Sequence, residues 1–252
     1  MDKTAFLLAC HKVMEEGRQN RGIGTLGEKT LHAVLKHYFD PREEHHEIRV
    51  GSYVADIRNE KGIFEIQTRG FDRLRGKLEV FLPEAPVTVI YPVPAIKWLS
   101  WLEEDGTASP KRKSPKKGSA ADILPELYKL KPWLGRQGLS FCAVLLELEE
   151  YRLKNGWSKD RKRGSTRFER LPVDLLGEVW LRAPADYLAL LPENLAEEFT
   201  VKEYAKASRF SGKKASVAVN VLFSMGVLKR VGKRKNAYLY QRNSEEKNER
   251  LY

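Results

Sequence analysis

The sequence predicts an α/β protein, a mixed central sheet flanked by helices, followed by a small and mostly helical second domain that ends in a hairpin. Three observations predict it. Three short strand-like segments follow two helical patterns; a helical stripe then leads into a continuous apolar run of strand length; and Leu181 to Tyr240 reads as a compact unit of its own. A helix that delivers the chain to a buried strand is the form of a crossover onto the same sheet. The domain break is placed at 178/179: a first domain over 1–178 with a basic insertion near 104–120, and a second over 179–252 with a polar C-terminal tail.

From Lys3 to Glu16 the apolar Phe6, Leu7, Cys10, Val13 and Met14 recur at helical spacing, with Gly17 as the expected C-terminal cap. A basic, glycine-rich loop from Arg18 to Gly27 leads into a second helix. Leu31, Val34, Leu35 and Tyr38 mark its face, and Glu28 sits in its first turn. Glu47 to Val50, Tyr53 to Asn59 and Gly62 to Thr68 are separated by Gly51-Ser52 and Glu60-Lys61-Gly62, the turns of an antiparallel meander. Leu74, Leu78, Phe81 and Leu82 form a helical stripe within Phe71 to Leu82, and Val87 to Val93 is the buried strand. Glu104 to Ala120 contains the run Lys111 to Lys117 and offers little to a core, so an exposed loop is expected. A helix over Ala121 to Leu130 and the apolar segment Phe141 to Leu153, open to strand or helix with a strand entering a bend favoured, complete the first domain, and Asn155 to Arg170 reads as a basic link.

Lys and Arg number 45 against 34 Asp and Glu, a formal charge of +11 that points to a polyanionic partner. Charge alone does not separate nucleic acid from an acidic membrane surface. The longest apolar run falls far short of the roughly 18 residues of a membrane-spanning helix, and the N-terminal residues lack the pattern of an export signal. A cytoplasmic protein without membrane contact is therefore expected. Cys10 and Cys142 sit among apolar neighbours, which suggests a reduced setting with neither disulfide framework nor zinc site. No Walker loop, dinucleotide-binding glycine fingerprint or Ser-His-Asp arrangement is present, which sets ATP-driven and acyl-transfer chemistry aside.

The informative grouping is Glu28 on a helix, Asp56 on one strand, and Glu65 with Gln67 on the next. Strand alternation points Phe64, Ile66 and Thr68 one way and Glu65 and Gln67 the other. A tight turn would bring Asp56 opposite the neighbourhood of Glu65. Two carboxylates that close repel unless a divalent cation joins them. Magnesium, or manganese in its place, held by such oxygens can neutralise a phosphodiester and generate hydroxide at neutral pH. A solvated strand face is the competing reading of the same residues.

The order Gly27-Glu28, hairpin, Val54-Ala55-Asp56, Phe64-Glu65-Ile66-Gln67 resembles the core of the PD-(D/E)xK nucleases, over roughly Thr25 to Val93. That superfamily includes restriction endonucleases and archaeal Holliday-junction resolvases. The resemblance implies a restriction endonuclease-like sheet, with Asp56 and Glu65 holding the metal and Glu28 supporting it or the water. Gln67 stands where the family has lysine, a departure that removes the ammonium credited with orienting the water; some restriction enzymes of similar pattern also carry Gln there. Lys77 on the next helix, or Arg69, would supply the missing cation, and Lys77 is favoured.

In the second domain, Thr200 and Glu203 have the spacing of a capping box. Ala215, Val219, Leu222 and Phe223 then mark a helix ending at Gly226, where a left-handed cap is expected. Its outer face offers Lys213, Lys214, Ser216 and Asn220 to phosphates or base edges. Lys233, Arg234 and Lys235 follow in a basic turn between two strand-like segments. Helix, turn, helix and basic hairpin resemble a winged helix-turn-helix, with a protein-interaction module as the alternative. His45-His46 beside Glu43, Glu44 and Glu47 reads as a solvated loop rather than a metal cluster, and Lys97-Trp98 with Trp101 as a helical core face rather than a base-stacking platform. The expectation is a magnesium-dependent DNA endonuclease that binds double-stranded DNA, with a homodimer compatible with it. The alternatives are a DNA-binding regulator that has lost catalysis and an RNA-directed nuclease.

Overall fold

The computed structural model describes residues 1–20, 27–103, 106–157 and 163–243, with side chains for 1–15, 30–103, 106–153 and 166–243. The protein is α/β, with a mixed central sheet and several helices. Helix α1 (Lys3–Asn20) runs through Gly17 instead of stopping there. An internal glycine costs a helix only about 1 kcal/mol relative to alanine, too little to end one. Helix α2 (Gly27–Phe39) precedes the meander β1 (His46–Val50), β2 (Tyr53–Asn59) and β3 (Gly62–Ile66). Its turns are the two-residue Gly51-Ser52, closed by the Val50–Tyr53 pair, and Glu60-Lys61, closed by Asn59–Gly62.

A 3-10 turn (Phe71–Leu74) and the short helix α3 (Arg75–Phe81) lead into β4 (Val87–Leu102), which continues nine residues past the expected end at Val93. Lys97, Trp98 and Trp101 therefore lie on a strand, not on a helical face. The expected exposed loop holds a further strand, β5 (Arg112–Lys113), paired to β4 through Trp98–Lys113 and Leu99–Arg112. A 3-10 turn (Ala120–Ile123), the single-turn helix α4 (Leu124–Leu127) and a second 3-10 segment (Tyr128–Trp133) stand where one helix is expected. Pro132 in that last segment cannot donate to a helical ladder.

Strand β6 (Leu139–Trp157) and strand β7 (Arg163–Leu181) replace the expected strand and basic link. The sheet order is β1-β2-β3-β4-β6-β7, with β5 on β4. The link reading fails because charge does not prevent strand formation when one edge or face stays in water. After a 3-10 turn (Pro184–Leu190) come β8 (Glu198–Phe199), α5 (Val201–Ser208), α6 (Gly212–Ser224), β9 (Leu228–Arg234) and β10 (Ala237–Arg242), whose three strands pair in the order β8-β10-β9.

The chain divides into two compact units, and residues 67–91 and 120–142 fall with the C-terminal segment 179–252. The first unit is residues 1–66, 92–119 and 143–178. Here α1 and α2 pack together, with Phe6 edge-on to Tyr38 at 5.5 Å. Val34, Leu35, Ala55, Ile57 and Ile63 have no exposed surface; burying each of the larger ones contributes about 1.5–3 kcal/mol. Helix α1 is tied to β7 by Lys3–Asp174 at 3.0 Å and by the Cys10 thiol donating to the Pro172 carbonyl at 3.7 Å. In the second unit Phe71 stacks on Phe141 at 6.3 Å, and the Glu126 carboxylate accepts from the Gly70 and Phe71 amides at 2.7 and 3.1 Å. That carboxylate caps the turn before α3. No helix among the described residues is long and apolar enough to cross a membrane.

Candidate metal centre and nucleic-acid interface

The β2–β3 register pairs Ile57 with Phe64 and Arg58 with Ile63, so the next pair toward the open end is Asp56 with Glu65. Opposite residues of an antiparallel pair project from the same face. Each side chain reaches the backbone of the facing strand: Glu65 Oε1 accepts from the Asp56 amide at 3.3 Å, and Asp56 Oδ2 accepts from the Ile66 amide at 2.7 Å. Each carboxylate thus has one oxygen anchored on the backbone of the other strand, which fixes the direction of its second oxygen. Glu65 is buried, while the Asp56 side chain keeps 19% of its surface.

Helix α2 brings a residue the sequence reading missed. His32 Nε2 lies 3.1 Å from Asp56 Oδ2, and its N–H is the group that can donate to that oxygen. Glu28 is one helical turn before His32 on α2; its side chain is outside the described residues. The i, i+4 spacing from Glu28 was the signal available for His32. Two residues before His32, Thr30 donates to buried Glu169 of β7 at 2.9 Å, and burial pushes that carboxyl above the usual carboxylate range against the Thr30 hydrogen bond.

Gln67 and Lys77 belong to the second unit. Gln67 is one residue past the end of β3, and its amide donates to the carbonyls of Arg69 at 2.6 Å and Gly70 at 3.5 Å. Lys77 is half-buried on α3, its ammonium 5.8 Å from the Phe81 ring centre.

Asp40, His45 and Glu60 also converge, with ligand atoms within 4.8 Å of one another. Arg42 already serves two of them, Nε at 3.0 Å from Asp40 and Nη2 at 2.9 Å from Glu60. Burial would raise the Asp40 carboxyl, but hydrogen bonds from Arg42, His45 and Asn59 prevail and hold it well below the usual range. This is a closed ion network. His45 and His46 are accordingly not a solvated loop: one bonds the Asp40 carboxylate and the other its carbonyl, each at 2.7 Å.

In the second unit Thr200 and Glu203 form the capping box of α5, the Thr200 amide donating to Glu203 Oε2 at 2.7 Å. Ser211 caps α6, and Gly226 closes its end at φ 74°. The expected outer face of α6 is partly occupied. Lys214 bonds Asp122, and Asn220 accepts from Lys131 at 2.9 Å, because α6 packs against the 120–133 stretch. Lys213 and Ser216 are exposed. In the hairpin the turn narrows to Lys235-Asn236, with Lys235 at φ 55° and with Lys233 and Arg234 on β9. Lys233, Arg234 and Lys235 are all exposed, and Arg234 bonds Glu203 at 2.7 Å. Arg230 sits over Phe223 at 4.6 Å and Tyr238 at 4.3 Å.

Residues 29–182 match the family described as "Domain of unknown function (DUF8091)". An "Uncharacterized protein" of Treponema pallidum (strain Nichols) is 35% identical over 149 residues, 59% of this chain and 57% of that protein. The chain thus spans a little over half the length of that curated relative. No solved structure matches the chain. The matched region holds Asp56, Glu65, Gln67 and Lys77 and leaves out Glu28 and the α5–β10 module. Since the match covers more than half of the sequence, the chain belongs to the DUF8091 family.

Proposed function

We propose that the protein is a divalent-metal-dependent DNA endonuclease with a restriction endonuclease-like core and a winged-helix module that grips duplex DNA. The observation that carries this reading is the facing pair Asp56 and Glu65, each anchored on the other's strand. Hard carboxylate oxygens at one point suit Mg²⁺ or Mn²⁺. Asp56 and Glu65 would hold the ion, with Glu28 as the third acidic group; when bound, the ion supplies charge neutralisation and a nucleophile at neutral pH. The protein's own part is orientation: the Ile66 amide and His32 hold Asp56, and the Asp56 amide holds Glu65. The strand order β8-β10-β9 around α5 and α6, with a basic hairpin, supports the winged-helix reading. A cytoplasmic setting belongs to the same proposal, in keeping with two buried free thiols, Cys10 and Cys142.

Supercoiled plasmid incubated with Mg²⁺ or Mn²⁺ tests it. Nicking that Asp56→Ala and Glu65→Ala each abolish, with folding and binding intact, supports the enzyme. Nicking that survives both substitutions removes the assignment. Gln67→Ala and Lys77→Ala test the parts that the resemblance implies for those side chains. One observation favours a second reading, a DNA-binding regulator without catalysis: the Gln67 amide is turned onto carbonyls of its own loop. Binding without cutting in any divalent metal selects that reading.

A further inference from the structure

Glu150 on β6 is fully buried, yet its carboxylate is surrounded by four cations from three strands. Arg152 lies at 2.5 Å, Arg170 at 3.1 Å, Arg167 at 3.5 Å and Lys97 at 3.6 Å. Among the described residues, Lys97, Arg152 and Arg170 thus crowd one buried carboxylate, with Arg167 at its edge. On β5, Arg112 lies over the Trp101 ring at 5.6 Å, placing a further cation and an indole beside β4. Lys97 and Arg170 are mostly covered, while the Arg167 side chain keeps 38% of its surface and Arg112 is exposed.

Like charges held this close repel, and the Glu150 carboxylate offsets part of that repulsion. The strain shows on Lys97, whose ammonium is pushed below its usual range by burial, against Glu150, with Arg170 and Arg152 adding to the push. A ligand bringing several negative charges would relieve what one carboxylate cannot. Within 95–102 and 147–153 no large apolar side chain is exposed, and among the described residues of β7 only Val173 is, too little apolar surface to hold a lipid layer. Guanidinium groups beside an indole instead suit phosphodiesters and their attached rings.

We propose that the β4–β6–β7 face carrying Lys97, Arg152, Arg167 and Arg170, edged by Arg112 and Trp101, is a nucleic-acid-binding surface that takes the phosphate backbone of duplex DNA. It lies wholly in the first unit and is separate from the α5–β10 module. It rests on the proposed function only in naming DNA as the polyanion, and its binding requires no metal. Contact with phosphates alone positions a duplex and reads no sequence.

The test uses the full chain and a fluorescent duplex of about 20 base pairs, in chelator, over a series of salt concentrations. Arg112→Ala with Arg167→Ala removes the two accessible cations. The expected result is an affinity about tenfold weaker at moderate salt and a salt slope shallower by about two, with melting unchanged. Unchanged affinity and slope in the folded variant overturn the proposal, as does loss of binding to phosphatidylserine vesicles or duplex RNA while DNA binding holds. Glu150→Gln provides the second arm: the variant should melt lower than wild type at low salt and regain more stability than wild type when sulfate or duplex is added. Equal stabilisation of both proteins counts against the surface. Because cutting is absent in chelator, an Asp56→Ala protein should bind as wild type does, which separates failure of this surface from failure of the hydrolytic reading.

Discussion

Replacing Glu65 by glutamine keeps side-chain size and the oxygen that accepts from the Asp56 amide, and removes one of two facing negative charges. Opposed positions on neighbouring strands put the charges about 5 Å apart, and at an effective dielectric of about 20 their repulsion is about 3 kcal/mol at most. Asp56 is partly solvated and lies against His32, so the net relief is about 1 kcal/mol. For a chain of this size that is a rise of about 2–4 °C in melting temperature. The effect of metal runs the other way. An ion present at about a hundredfold excess over its dissociation constant stabilises the wild type by about 2.7 kcal/mol, and the variant has lost a ligand. Thermal melting of both proteins, with chelator and with millimolar Mn²⁺, is therefore expected to reverse their order. The reasoning is refuted if Mn²⁺ shifts both proteins equally, or if Glu65→Gln is the less stable in chelator.

Three other outcomes follow from single groups. Burial would raise the Glu150 carboxyl, but Arg152, Arg170 and Lys97 hold it at about 2 against 4.5 unfolded. Its contribution of about 3 kcal/mol is thus present above the unfolded value and lost as pH falls toward the folded one; urea midpoints between pH 6 and 3 should fall less steeply in Glu150→Gln than in wild type. Glu169 has the opposite sign. Its carboxyl is raised by burial, so it destabilises the fold once ionised, and Glu169→Gln, which keeps the acceptor for Thr30, should melt higher than wild type at pH 8 and no higher at pH 4. Thr200→Ala removes the cap of α5 and should cost about 1 kcal/mol by chemical denaturation, while Thr200→Ser should restore most of it.

The parts of the fold legible in the sequence were those set by local chemistry. Two-residue turns fixed the β1–β3 register and hence the Asp56–Glu65 pairing, and the capping box of α5 and the Gly226 cap follow from residue type alone. What was not legible depends on distant partners. Lys97-Trp98 and Trp101 have the spacing of a helical face, and only pairing with β5 and the neighbouring strands makes that segment a strand. The stretch from Asn155 to Arg170 looks like a link because its cations outnumber its apolar residues; the charges that Glu150 gathers lie on three strands far apart in sequence. The face of α6 carrying Lys214 and Asn220 looked open for the same reason, since Asp122 and Lys131 meet it from a hundred residues or so upstream. His32 touches Asp56 across 24 positions; its i, i+4 spacing from Glu28 places it on the same helix face but does not reveal the partner strand.

Crystals soaked in Mn²⁺ and measured at the manganese absorption edge put the central claim to its most direct test. An anomalous peak between the Asp56 and Glu65 carboxylates, with metal–oxygen distances of about 2.1–2.3 Å, is the predicted result. A peak elsewhere with none between these two side chains, or no peak at a manganese concentration that supports cutting, would contradict it.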